Sequence, residues 1–198
     1  MTKIIGLTGG IGSGKTTIAK YIESQGIPVY IADDIAKKIL ELPQIKSEIA
    51  SHYGEEIFEN GKLNRHKLAE IVFSDSNKLK RLNDIVHPAV RSDFDAWLEQ
   101  HSHFPWVVKE AAILFESGSD KDCDVIITVT APLEDRIQRI INRDNTAVEN
   151  VMDRIKNQWT DEMRTDKSDY IVENKNVKVA KHQIDEILKK LNNQQKLT

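Results

Sequence analysis

Across 198 residues, 28 Lys and Arg are set against 31 Asp and Glu, a formal net charge of −3. That balance argues against a protein that grips nucleic acid through bulk positive charge, and 39% hydrophobic with 30% charged residues excludes disordered and low-complexity classes. Cys123 is the only cysteine, so no internal disulfide can form, no Cys/His cluster has zinc-site spacing, and no apolar run approaches the roughly 20 residues of a membrane span. The expectation is a cytoplasmic protein with no nucleic-acid or membrane partner, a monomer or weak homo-oligomer.

Lys3 to Leu7 is a short apolar run ending at Thr8-Gly9-Gly10, which predicts a buried strand and then a loop. Thr16 to Ser24 is patterned as a helix that stops at Gly26, and Pro28 to Ile31 predicts a second strand ending at Ala32-Asp33-Asp34. Residues 35–103 are mostly helical in character, with turn signals at Tyr53-Gly54, Asn60-Gly61 and His87-Pro88. Trp106 to Val108, Val125 to Val129 and Tyr170 to Val172 predict three further strands. None of these runs alternates, as expected of strands covered on both faces. Pro132 opens another helix at its first turn, Asp144-Asn145 breaks it, and Thr146-Ala147-Val148-Glu149 fits a capping box for the next.

Strands alternating with helices through right-handed crossovers imply an α/β fold, a parallel sheet between helical layers with ligands at the carboxyl ends of the strands. No linker divides the chain, so residues 1–198 are expected to form a single domain, with a helical insertion at 35–103 and a helical lid at 132–165.

Gly9-Gly10-Ile11-Gly12-Ser13-Gly14-Lys15-Thr16 fits G-x-x-x-x-G-K-[ST] between a predicted strand and a predicted helix, followed by Thr17. Glycines let successive backbone N–H groups turn toward phosphate oxygens, and the helix N-terminus adds its positive end. Lys15 would neutralise charge on the outer phosphates, and the Thr16 hydroxyl would ligate Mg²⁺. Asp33 ends the second strand, where a carboxylate could accept a hydroxyl proton or equally cap the helix beginning near Ile35. Lys37 and Lys38 follow one turn later and could hold an anionic acceptor or stay solvated.

Arg136, Arg139 and Arg143 recur at spacings of three and four and share a helix face, where planar guanidinium forks could clamp phosphates. Arg154 and Gln158 repeat that spacing on the next helix. Glu110 and Glu116 could reach a metal-bound water, although a cap or salt bridge is the commoner use. Cys123 lacks a nucleophile signature and reads as structural. There is no D-x-x-G switch motif, and Asn174-Lys175-Asn176-Val177 lacks the aspartate of N-K-x-D, so a GTPase is disfavoured. Another small-molecule kinase and a nucleotide-dependent switch remain as rival readings.

These segments together resemble the dephospho-coenzyme A kinase family, from Ile4 to Leu191. Leu7 to Thr17 resembles that family's phosphate loop, Ala32-Asp33 with Ile35-Ala36 its D-A-D-x-x-A-R segment, His87-Pro88 its L-H-P, and Leu114-Phe115-Glu116 the end of its P-L-L-F-E. Arg139 with Arg143-Asp144 is similar to its R-x-x-x-R-D, Arg154 with Gln158 to its R-x-x-x-Q, and Asp169 to Val172 with Asn174 to its D-x-v-i-x-N. Ile31, Lys37 and Ala112 depart from the pattern.

The resemblance implies a P-loop kinase fold and phosphorylation by ATP, with Mg²⁺, of the ribose 3′-hydroxyl of dephospho-coenzyme A, the last step of coenzyme A synthesis. It implies Lys15, Asp33, Arg139 and Arg143 as catalytic groups, with Asp33 as the general base. It also implies ATP contacts from Gly10, Ile11, Gly12, Ser13, Gly14, Lys15, Thr16, Thr17 and Asn174, the last toward the adenine. Asp33, Lys37 and His87 are implied on the acceptor side, with the helical insertion cradling dephospho-coenzyme A.

Overall fold

A computed structural model of the chain describes residues 1–195, so the last three residues of the expected 1–198 domain lie outside the described residues. The elements run β1 (Lys3–Thr8), α1 (Lys15–Ser24), β2 (Val29–Ile31), α2 (Ala32–Ile39) and α3 (Pro43–Tyr53). They continue with β3 (Phe58–Glu59), β4 (Lys62–Leu63), α4 (Arg65–Phe73), α5 (Ser76–Gln100) and β5 (Trp106–Glu110). Then come β6 (Val125–Thr130), α6 (Leu133–Asp144), α7 (Val148–Lys156), α8 (Asp161–Thr165), β7 (Tyr170–Glu173) and α9 (Val177–Gln195). They group into two compact units, Met1–Tyr30 with His101–Thr198, and Ile31–Gln100.

The first unit is organised by a sheet of order β2-β5-β1-β6-β7, in which β1 is parallel to β5 and β6, and β6 is parallel to β7. Its core explains the unbroken apolar runs. Ile5 and Leu7 of β1, Val108 of β5, Ile127 and Val129 of β6 and Val172 of β7 pack with Ile18 and Ile22 of α1 and Ala180, Ile184, Leu188 and Leu191 of α9. Each Val, Leu or Ile side chain among them contributes about 1.5–3 kcal/mol by leaving water. Because these strands are parallel, their carboxyl ends lie along one edge. The loop after β1, the start of α6 after β6 and Asn174 after β7 therefore converge there.

The strand β5 runs two residues further than its apolar pattern indicated. Lys109 and Glu110 are both buried within it, in register with Gly6 and Leu7.

The second unit packs Ile39, Ile45, Ile49, Tyr53, Ile57, Leu63, Leu68, Val72 and Ile85 into a core of its own. Two features differ from the sequence expectation. The Asn60-Gly61 signal closes an antiparallel hairpin, β3 with β4, whose two loop residues have φ of 51° and 74°, the positive pair a two-residue turn demands. Strands of two residues are too short to leave a period in the sequence.

The second difference is at His87-Pro88, which is not a turn: α5 runs straight through with Pro88 inside it. Proline removes a helical N–H and disfavours helix at the residue before it. Here Ile85, Ala89 and Val90 belong to the buried face of α5, and keeping that face in the core outweighs the lost bond.

Around α6 and α7 the boundaries also shift. Pro132 is the residue preceding α6, not its first helical residue. The residue capping α7 is Ala147, with no side-chain cap bond, so the expected capping box does not form. The Thr146 hydroxyl instead accepts from Asn150 Nδ2 at 3.2 Å.

Candidate phosphate-binding site

Between β1 and α1, the backbone of Gly10 to Lys15 presents its two kinds of polar group to different partners. The carbonyls of Ile11, Gly12 and Ser13 are taken by side chains from distant parts of the chain. The Ile11 oxygen accepts from Arg136 Nε at 2.9 Å, the Gly12 and Ser13 oxygens accept from Arg139 Nη1 at 3.3 Å each, and the Ser13 oxygen also accepts from Asn174 Nδ2 at 2.8 Å. The amides of Gly12, Gly14 and Thr16 donate to no protein acceptor among the described residues. The first turn of α1 carries no acidic side chain to occupy them. A run of open N–H groups at a helix N-terminus is an anion site built from backbone.

Two glycines are forced by this packing. Gly14 caps α1 in the left-handed conformation, φ 94°, and a Cβ there would collide with Asn174 Nδ2. Gly10 has the Arg136 guanidinium lying against it where a Cβ would stand. Ser13 and Lys15 are buried, whereas Thr16 and Thr17 are exposed on the first turn of α1. No group of three or more His, Cys, Asp or Glu side chains able to hold a metal occurs among the described residues. The exposed Thr16 hydroxyl beside the open amides does suit Mg²⁺, an ion that takes few protein oxygens and arrives on the phosphates.

The arginines of α6 divide by environment. Arg136 is 6% exposed, and its Nη1 pairs with Asp161 at 2.9 Å while Nε holds Ile11. Arg139 Nη2 additionally donates to the Asn174 carbonyl at 2.8 Å. Arg143 is exposed, and with Arg154 it shares Asp144, each at 2.7 Å. Those two guanidiniums pull the Asp144 carboxyl down to about 2, the bond from Arg143 contributing most.

Gln158 lies in the turn after α7, where its Oε1 accepts from the Ile11 amide at 2.9 Å. Glu116 resolves in favour of the salt bridge. Its Oε1 pairs with fully buried Arg164 Nη2 at 3.2 Å and accepts from the Trp159 amide at 3.0 Å. Phe115 stacks on Trp159 beside that pair, ring centroids 5.5 Å apart. Burial pulls the Arg164 guanidinium below its ordinary value, opposed by the carboxylates of Glu116 and Asp161.

Cys123 is structural: its Sγ approaches Gly6, where a Cβ would stand 2.8 Å away, and donates weakly to the Ser119 carbonyl. Burial pushes the Cys123 thiol up to about 12.

The acceptor-side residues all belong to the second unit. Asp33 sits in the first turn of α2, which follows β2 without a loop, and the residue capping that helix is Ile31, with no side-chain cap bond. The helix-cap alternative for Asp33 therefore falls away. Lys37 pairs with Asp34 at 2.7 Å, both side chains more than half exposed. His87 lies mid-helix in α5, its imidazole pushed down in pKa by burial.

Sequence reasoning placed the loop, Arg139 and Asn174 together through the likeness of their motifs. It gave no role to Asp161 and Arg164, because a D-x-x-R pair at the start of a polar helix looks the same buried or solvated.

Comparison with known proteins agrees with this geometry. The family model described as dephospho-CoA kinase matches residues 3–179. A dephospho-CoA kinase from Bacteroides fragilis is 39% identical over 185 residues, covering 93% of this chain and 90% of that protein. One from Fusobacterium nucleatum is 44% identical over 172 residues, covering 86% and 89%. Among solved structures, a Thermus thermophilus protein superposes with a TM-score of 0.87 at 33% identity, covering 96% of this chain and 98% of that one. A dephospho-CoA kinase from Campylobacter jejuni gives a TM-score of 0.70 at 24% identity, covering 96% and 98%, and so speaks to the fold. With a parallel sheet, a phosphate loop at its carboxyl edge and relatives of this identity over nearly the whole length, the chain belongs to the dephospho-CoA kinase family.

Proposed function

We propose that this chain transfers the γ-phosphoryl group of ATP to the ribose 3′-hydroxyl of dephospho-coenzyme A, giving coenzyme A and ADP. The observation that carries this reading is the match to the family model across residues 3–179, which includes the phosphate loop. The open amides of Gly12, Gly14 and Thr16 are the local feature that supports it.

In this mechanism the loop from Gly10 to Thr17, through the open amides of Gly12, Gly14 and Thr16, and the Lys15 ammonium hold the β- and γ-phosphates. The Thr16 hydroxyl would hold Mg²⁺, which would supply positive charge to offset that of the phosphates. Asp33 accepts the proton of the attacking hydroxyl. Arg139 brings positive charge against the loop, and Arg143 exchanges Asp144 for a phosphate oxygen as charge develops on the transferring group. Asn174 acts on the nucleotide by fixing the Ser13 carbonyl and so the direction of the neighbouring amides, on the side where the adenine is bound. Lys37 and His87 serve the acceptor, bound by residues 35–103, and residues 132–165 act as the lid.

The protein works in the cytoplasm as a monomer or weak homo-oligomer, without nucleic-acid or membrane partners. No helix among the described residues is long and apolar enough to cross a membrane.

The test is incubation with Mg-ATP and dephospho-coenzyme A, following coenzyme A and ADP together by mass spectrometry, with Lys15→Ala as the blank. Equal amounts of both products, lost in the variant, are expected. ADP without coenzyme A would overturn the acceptor.

A further inference from the structure

Ile11, inside the phosphate loop, has both of its peptide polar groups held from outside the loop: its amide by Gln158 and its carbonyl by Arg136, each at 2.9 Å. Neither holder stands alone. Arg136 Nη1 is pinned by Asp161 Oδ2 at 2.9 Å, and Asp161 Oδ1 reaches Arg164 Nη1 at 3.5 Å. Arg164 is 0% exposed and is paired at its other amino group with Glu116. Glu116 and Arg164 also clamp the turn that carries Gln158, since Glu116 takes the Trp159 amide and Arg164 Nη1 donates to the Trp159 carbonyl.

From these contacts we infer that Glu116, Arg164 and Asp161 are positioning residues for ATP, acting through Arg136 and Gln158 on the Ile11 peptide. This rests on the kinase reading above and deepens it. Glu116, Arg164, Asp161 and Arg136 alternate in sign, so the chain is neutral and each charge faces its opposite. Burying such charges costs solvation that their attraction rarely exceeds, so the arrangement is a poor source of stability. It is a good source of direction, because a guanidinium fixed at two nitrogens has no remaining torsional freedom. The carbonyl it holds belongs to the peptide whose N–H is the open amide of Gly12, so the relay determines where a phosphate-binding donor points.

The experiment measures ATP affinity by calorimetry in the absence of acceptor, with turnover measured separately, for the parent, Asp161→Asn, Arg136→Lys and the double variant. Asp153→Asn, which breaks an exposed pair with Lys156, is the control. Each single variant is expected to bind ATP about tenfold more weakly, as the loss of one charge-assisted bond implies. The double variant should be no weaker than the singles, since both break the same link. Melting temperature is expected to fall in Asp161→Asn, which leaves Arg136 and Arg164 buried without that carboxylate, so affinities are compared at a temperature where every variant is folded. Glu116→Gln, which keeps the acceptor oxygen but not the charge, should fall between parent and Asp161→Asn. ATP affinity within twofold of the parent in both single variants, with or without a lower melting temperature, would overturn the inference. A parent that binds ATP but makes no coenzyme A would sink the proposed reaction while leaving the relay to be judged by these affinities.

Discussion

Asn174 and Ser13, separated by 161 positions in the chain, are joined by a 2.8 Å bond from the asparagine Nδ2 to the serine carbonyl. That bond lies where a side chain at position 14 would have to go. Gly14→Ala therefore combines a left-handed backbone, costing an alanine about 1–2 kcal/mol, with displacement of Asn174. ATP affinity should fall at least about tenfold. Calorimetry with ATP checks it, and parental affinity would show that the loop tolerates a different path.

Asp33→Asn keeps size and polarity but removes the proton acceptor. Turnover should fall by about 10²-fold or more, in the range of general-base contributions, while ATP affinity stays within twofold. Single-turnover measurement separates the two. A parental rate would remove Asp33 from the mechanism.

For Cys123 the consequence of burial is chemical. With its pKa at about 12 against an unfolded value near 8.5, the thiol stays protonated at pH 8 in the folded chain. Alkylation by iodoacetamide, followed by intact mass, should be at least about tenfold slower folded than in denaturant. Equal rates would mean that the thiol opens to solvent.

Asp144 gives a pH signature. Its carboxyl is held at about 2 instead of 3.8, so the native state keeps the charge that the unfolded chain loses first on acidification. The stabilisation is fully present above the unfolded value and disappears as the pH falls through about 2. The difference in melting temperature between parent and Asp144→Asn should be level above about pH 5 and shrink between about pH 4 and 2. A difference that stays level through that window would contradict the assigned cause.

What the sequence made legible follows from what leaves a pattern. Strands covered on both faces are unbroken apolar runs, so β1, β2, β5, β6 and β7 could be located, and the glycines of the phosphate loop mark backbone that no other residue can follow. Asn60-Gly61 marks a turn in the sequence, but the hairpin around it is invisible there because strands of two residues carry no period. His87-Pro88 reads as a turn by proline's local preference, which the buried face of α5 on either side overrides. Asp161 and Arg164 escaped because burial, not residue type, separates a relay from an ordinary surface pair. Glu116 and Gln158 were noticed for their motifs, yet their meeting through Trp159 is a matter of tertiary packing.

At the outer margin of the sheet, Glu173 of β7 offers its amide to Gln183 Oε1 at 3.1 Å, while Gln183 Nε2 donates to the Glu173 carbonyl at 3.2 Å. A glutamine amide has the donor and acceptor of a peptide group, so α9 supplies one rung of a missing neighbouring strand. An exposed sheet edge is a template for other chains, and short strands with blocked hydrogen-bonding groups are poor templates. The four-residue β7, with its terminal rung occupied, gives the edge of a second sheet little to zip onto at this margin.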